Sequence, residues 1–143
     1  MFSKEESAQL RKEFWTSFGK SFPRKWLLYN TKIKDFSLKF YADRKKAMVV
    51  LDIEMPDDTV RYTYFEKLEA LKTIIKEDYF ENAIFERDYV LQESGKIISR
   101  MYVQLDGVSI HNKNTWQEMF YFLKDNMHQM ELFFYEFEDY FKM

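Results

Sequence analysis

The 143 residues contain no cysteine, two prolines, three glycines and two histidines. Without cysteine there is no disulfide, no thiolate metal site and no cysteine nucleophile. Three scattered glycines cannot supply a glycine-rich loop to cradle a phosphate. His111 and His128 stand 17 residues apart, at neither a metal-ligand nor a triad spacing, and read as surface residues. No window approaches eighteen uninterrupted apolar residues, so no membrane span is expected. The opening Met1-Phe2-Ser3-Lys4-Glu5-Glu6 has no basic stretch leading into an apolar run, so it does not read as a signal peptide. Together with the missing cysteine, this fits a cytoplasmic setting. Nothing in the sequence calls for a cofactor.

What the chain has in quantity is rings. Aromatic residues make up 20% of it, within a composition that is 46% apolar and 32% charged. That balance belongs to a folded chain, and the length suits a single domain over residues 1–143. Each ring buries a large area, so the core is expected to be ring-dominated. Charge is unevenly placed. Residues 1–46 hold 12 Lys and Arg against 5 Asp and Glu, whereas residues 47–143 hold 10 against 19. Such segregation marks an anion-binding end, or pairs the two parts within one fold or between subunits.

Periodicity supplies the element order. Ser3 and Glu6 have capping-box spacing, and Leu10, Phe14, Trp15 and Phe18 form the apolar stripe of a helix expected to stop at Gly19. Pro23 breaks the connection that follows. Phe36, Leu38 and Phe40 alternate with polar residues, and Ala47, Val49, Leu51 and Ile53 alternate after the charged turn 43–46, which predicts an antiparallel hairpin. Asp58 or Thr59 caps a second helix running to about Asp78. A second hairpin follows, Ile84–Leu91 and Ile97–Leu105, turning at Gly95, where positive φ is expected. Thr115 with Glu118 has capping-box spacing ahead of a last helix from Trp116 almost to Met143. Its Leu132-Phe133-Phe134-Tyr135 and Phe137 put rings on nearly every side, so it must be covered on more than one face or dock on a partner. The prediction is an α+β domain in the order α-ββ-α-ββ-α. Its two hairpins form a four-stranded, mostly antiparallel sheet with helices on one face.

Three strings carry chemistry. Asp52 and Glu54 are two apart on a strand, on one face, where they could share a divalent ion. A nuclease-type acidic strand needs a lysine two positions after an acid. Here Pro56 follows Glu54 and Glu54 follows Asp52, so a metal site at Asp52 and Glu54 is kept only as an alternative. Glu86 and Asp88 alternate with Arg87, and Arg100 on the partner strand is expected to pair with one of the two. The best binding candidate is the first helix with the loop after it. Arg11, Lys12, Lys20, Arg24, Lys25 and Lys32 lie among Trp15, Phe22 and Trp26, and cations with rings suit phosphates and bases. Against this, Trp15 and Phe18 lie on the helix's apolar stripe.

The run Phe14-Trp15-Thr16-Ser17-Phe18-Gly19-Lys20-Ser21-Phe22, followed by Lys25-Trp26, resembles the opening of the bacterial family called domain of unknown function 4268. The later hairpin, the long helix and the length agree. In that family this unit often follows a restriction-nuclease-like half, so the resemblance implies a link to nucleic-acid metabolism or defence. It implies no catalytic residue. The leading expectation is a non-catalytic interaction module. It would hold nucleic acid through its basic region, or a protein partner or second copy through its C-terminal aromatic helix. A diverged metal-dependent nuclease and a homo-oligomeric scaffold are the alternatives.

Overall fold

The computed structural model describes residues 2–143. Helix α1 spans Lys4–Ser21 and strands β1 and β2 span Phe36–Ala42 and Lys46–Ile53. Helices α2 and α3 span Asp58–Ala70 and Lys72–Asp78, and strands β3 and β4 span Ile84–Val90 and Ile97–Asp106. After a single 3₁₀ turn at Lys113–Thr115, helix α4 runs over Trp116–Lys142. The sheet is wholly antiparallel, in the order β1-β2-β4-β3, so the two hairpins meet along their inner strands.

Ser3 accepts from the Glu6 backbone while Glu6 reaches back to the Ser3 N–H, the expected capping box. The helix does not stop at Gly19 but continues to Ser21, because Gly19 keeps helical backbone and Phe22 forms the cap. Asp57, rather than Asp58 or Thr59, caps α2, accepting from the Thr59 and Val60 N–H groups. The single helix expected to Asp78 is two, because the Leu71 N–H bonds to the Leu68 carbonyl at 3.0 Å and tightens the chain to a three-residue turn. Thr115 makes no capping-box bond. Its hydroxyl bridges to the Ser109 and Asn112 carbonyls instead. Gly95 does take positive φ, 74°.

All helices pack on one face of the sheet. There Phe36, Leu38, Val49, Leu51, Met101 and Val103 meet Phe14 and Phe18 of α1, Phe65 and Leu68 of α2, and the inner side of α4. The all-round rings of α4 find their cover within the chain. Phe133 packs on Tyr79, while Phe134 and Phe141 pack on Phe36. Phe133 and Phe141 are fully buried, so they are not available for docking, and the half-buried Phe137 lies tilted against Phe133. Only Leu132 and Tyr135 of that stretch face outward. Among the described residues no helix is long and apolar enough to cross a membrane.

Candidate functional site

The sheet's other face has no helix over it, yet Met48, Val50, Ile98 and Tyr102 are buried there. Tyr89 covers Tyr102, their ring centroids 5.9 Å apart. A bulge between Glu86 and Tyr89 brings this about. The Arg87 carbonyl leaves the ladder and accepts from the Ser99 hydroxyl at 2.6 Å. The extra residue reverses the alternation, so Tyr89 lands on the open face and not beside Phe85 as strict period two predicts. Asp88 is turned away to the Tyr62 hydroxyl and Arg61 of α2.

The expected pairing of Arg100 with Glu86 or Asp88 gives way to one on its other side. Arg100 stands opposite both Glu86 and Asp52 in register. Its guanidinium takes Asp52 with two bonds, 2.7 and 2.9 Å, and stacks on the Tyr89 ring at 4.3 Å. Glu86 accepts from the Tyr102 hydroxyl at 2.6 Å instead. The fully buried Asp52 carboxylate has no water to turn to and gains more from the planar fork than the half-exposed Glu86 would.

Asp52 and Glu54 do share a face, and cations already occupy them. Lys39 lies 3.2 Å from Asp52 and 2.7 Å from Glu54, and Lys96 lies 3.4 Å from Glu54. Burial pulls the Lys39 ammonium down in pKa, but the two carboxylates outweigh it and raise it. Burial likewise raises Glu54, and Lys39 and Lys96 bring it below the usual carboxylate range. Among the described residues no three His, Asp or Glu side chains converge as a metal-holding group.

The open face is concave. A cleft of about 690 Å³ lies over it, between Tyr41, Met48, Tyr89 and Arg100, with Glu86 and Glu93 at its margin. Tyr41 donates to Asp43 at 2.7 Å. Burial, then the Asp43 carboxylate, push the Tyr41 hydroxyl up to about 12. Asp43 also accepts from the Lys45 and Lys46 N–H groups, which closes the β1–β2 turn, whose Arg44 and Lys45 are exposed and Lys46 half-buried. A second cleft of about 630 Å³ begins where the first ends, between that turn and α1. Arg11, Arg44, Lys45, Lys46 and His111 line it, with Asp43 and Asp106 among them. Among the described residues, none of Arg11, Arg44, Lys45 or Lys46 forms a salt bridge.

The sequence-derived basic set is dispersed. Arg11 alone of it reaches the second cleft. Lys20 is nine residues further along α1, about 180° around the helix axis. Lys12 is exposed on the same helix, and Lys25 and Lys32 are exposed in the loop after it. Arg24 is engaged elsewhere. It meets the buried Glu131 of α4 at 2.6 Å and lies over Trp26 at 3.9 Å, while Glu131 also takes the Leu27 N–H. Trp15, Phe22 and Trp26 are half-buried against the core rather than presented as a stacking platform. What sequence reasoning missed is the partnership of Arg11 with residues 44–46, which were read only as a turn. Their run of three cations was a visible signal, but nothing local put it beside α1.

The fold and its clefts define a small α+β domain with one helix-covered and one open sheet face. The family model described as Domain of unknown function (DUF4268) matches residues 10–138, and the chain belongs to that family. No curated protein and no solved structure matches it.

Proposed function

We propose that the protein is a non-catalytic binding module for a polyanionic chain, in the first place a nucleic-acid backbone, held between α1 and the β1–β2 turn. The observation that carries this reading is the gathering of Arg11, Arg44, Lys45 and Lys46 around one cleft without salt-bridge partners. Four cations against Asp43 and Asp106 leave the cleft with an excess of positive charge, which an anion laid across it would offset. Lysine and arginine spaced along a groove suit phosphates, which bind with release of counterions. The reading agrees with the resemblance, which implies a link to nucleic-acid metabolism or defence.

Fluorescence anisotropy with labelled DNA over a salt series tests it. Affinity should fall steeply with salt, and Arg44→Ala or Lys45→Ala should each lower the slope of log K against log salt by about one. Arg24→Ala should leave the slope unchanged, because that guanidinium is bound to Glu131. If neither single-stranded nor duplex DNA binds at low salt, the proposal fails.

A further inference from the structure

We infer that the polymer is single-stranded and that one of its bases enters the cleft on the open sheet face. This rests on the reading of the basic cleft as a phosphate site and adds what lies next to it. The two clefts form one trough, since Asp43, Lys46 and Gln92 line both. Their chemistry is sorted. The half beside α1 offers Arg11, Arg44, Lys45 and Lys46, an excess of cations over Asp43 and Asp106. The half over the sheet is lined by the rings of Tyr41 and Tyr89, the latter with Arg100 already against one side, by Met48, and by the carboxylates of Glu86 and Glu93.

Those carboxylates repel a phosphate, yet they suit a base. A nucleobase is neutral and has a π face for the tyrosines, and adenine, cytosine and guanine carry amino hydrogens along their edges. The acceptors are open. Asp43 is committed to Tyr41 and its own turn, and Glu86 Oε2 takes the Tyr102 hydroxyl. Glu86 Oε1 and the Glu93 carboxylate have no hydrogen-bond partner among the described residues. About 690 Å³ is within the range of pockets that enclose a small ligand. A duplex keeps its bases paired and stacked inside and cannot fill this half, whereas a single strand splays them outward.

The test compares twelve-residue oligo(dC), oligo(dT) and a mixed-sequence duplex by anisotropy at low salt. Cytosine has an amino donor that thymine lacks, and both are pyrimidines. Oligo(dC) should bind at least roughly 5-fold tighter than oligo(dT). Both single strands should exceed the duplex. Tyr41→Ala should weaken single strands roughly 10-fold while leaving the duplex unchanged, and Tyr41→Phe, which keeps the ring, should retain the wild-type affinity. The Glu86→Gln, Glu93→Gln double variant should erase the preference for oligo(dC). Equal or tighter binding of the duplex overturns the inference, as does a Tyr41→Ala variant, folded by circular dichroism, with unchanged single-strand affinity. Either result leaves the basic-cleft proposal standing if Arg44→Ala still lowers the salt slope. Loss of all DNA binding removes both.

Discussion

Asp52 is fully enclosed, with the Arg100 guanidinium on both oxygens and the Lys39 ammonium 3.2 Å away. Such a group is held by its partners and not by water, so removing one partner strands a charge. Arg100→Met should cost about 3 kcal/mol, the low end for a broken buried pair because Lys39 remains. Adding Asp52→Leu should restore most of that loss, and urea denaturation of both variants checks it. Tyr41 makes a second prediction at this scale. Its hydroxyl titrates at about 12 against an ordinary 10.0. A folded pKa above the unfolded one means that the fold favours the neutral phenol. That contribution is complete below pH 10 and is lost as pH rises toward 12. Tyr41→Phe has no such proton, so its melting temperature should fall less than that of the wild type between those pH values. Asp43→Asn should lower the tyrosinate midpoint of Tyr41 without returning it to 10.0, since burial is the first cause and persists.

Among the elements, α2 and α4 lend themselves to clean substitutions. Asp57→Ala removes the two backbone bonds at the start of α2 and should cost about 1 kcal/mol by thermal unfolding. Phe133→Ala should cost about 3–5 kcal/mol, and Tyr135→Ala, two residues on and outward-facing, less than about 0.5 kcal/mol. This contrast shows what periodicity tells and what it does not. Every strand, the order of the elements and the first capping box were legible, because Phe36, Leu38 and Phe40, or Val49 and Leu51, repeat at the spacing of their element. Which of the α4 rings would be covered was not legible, because Tyr79 and Phe36, which cover Phe133, Phe134 and Phe141, are distant in sequence. The β3 bulge was also hidden. The Arg87 carbonyl it frees is taken by the Ser99 hydroxyl on the neighbouring strand, and no local signal in Glu86-Arg87-Asp88 announces it. The candidate site was half visible. Arg11 was picked out, but the turn cations beside it and the carboxylates' partners are products of tertiary contact.

At the scale of the whole molecule, the segregated charge is folded onto itself at two points. Arg24 and Lys39 from the basic part meet Glu131, Asp52 and Glu54 from the acidic part. Among the described residues the cations of the β1–β2 turn form no salt bridge, and neither do Arg11, Lys12, Lys20, Lys25 and Lys32. The sheet order joins the two hairpins, because β2 pairs with β4 along its whole length. The chain should therefore unfold in one step, with near- and far-ultraviolet circular dichroism giving coincident transitions in urea. Separate transitions for the two signals would show that the hairpins melt apart.

Every residue of β2 from Ala47 to Ile53 is buried, on the side of the helices and on the open side alike. The strand that shields one of its edges starts at Ile97, so the ribosome makes roughly forty more residues before that partner exists. At about 5–20 residues per second the nascent ribbon waits for seconds with a sticky flank exposed. Newborn chains of this protein thus pass through an interval in which pairing with a sister chain competes with completion, and slower translation lengthens that interval.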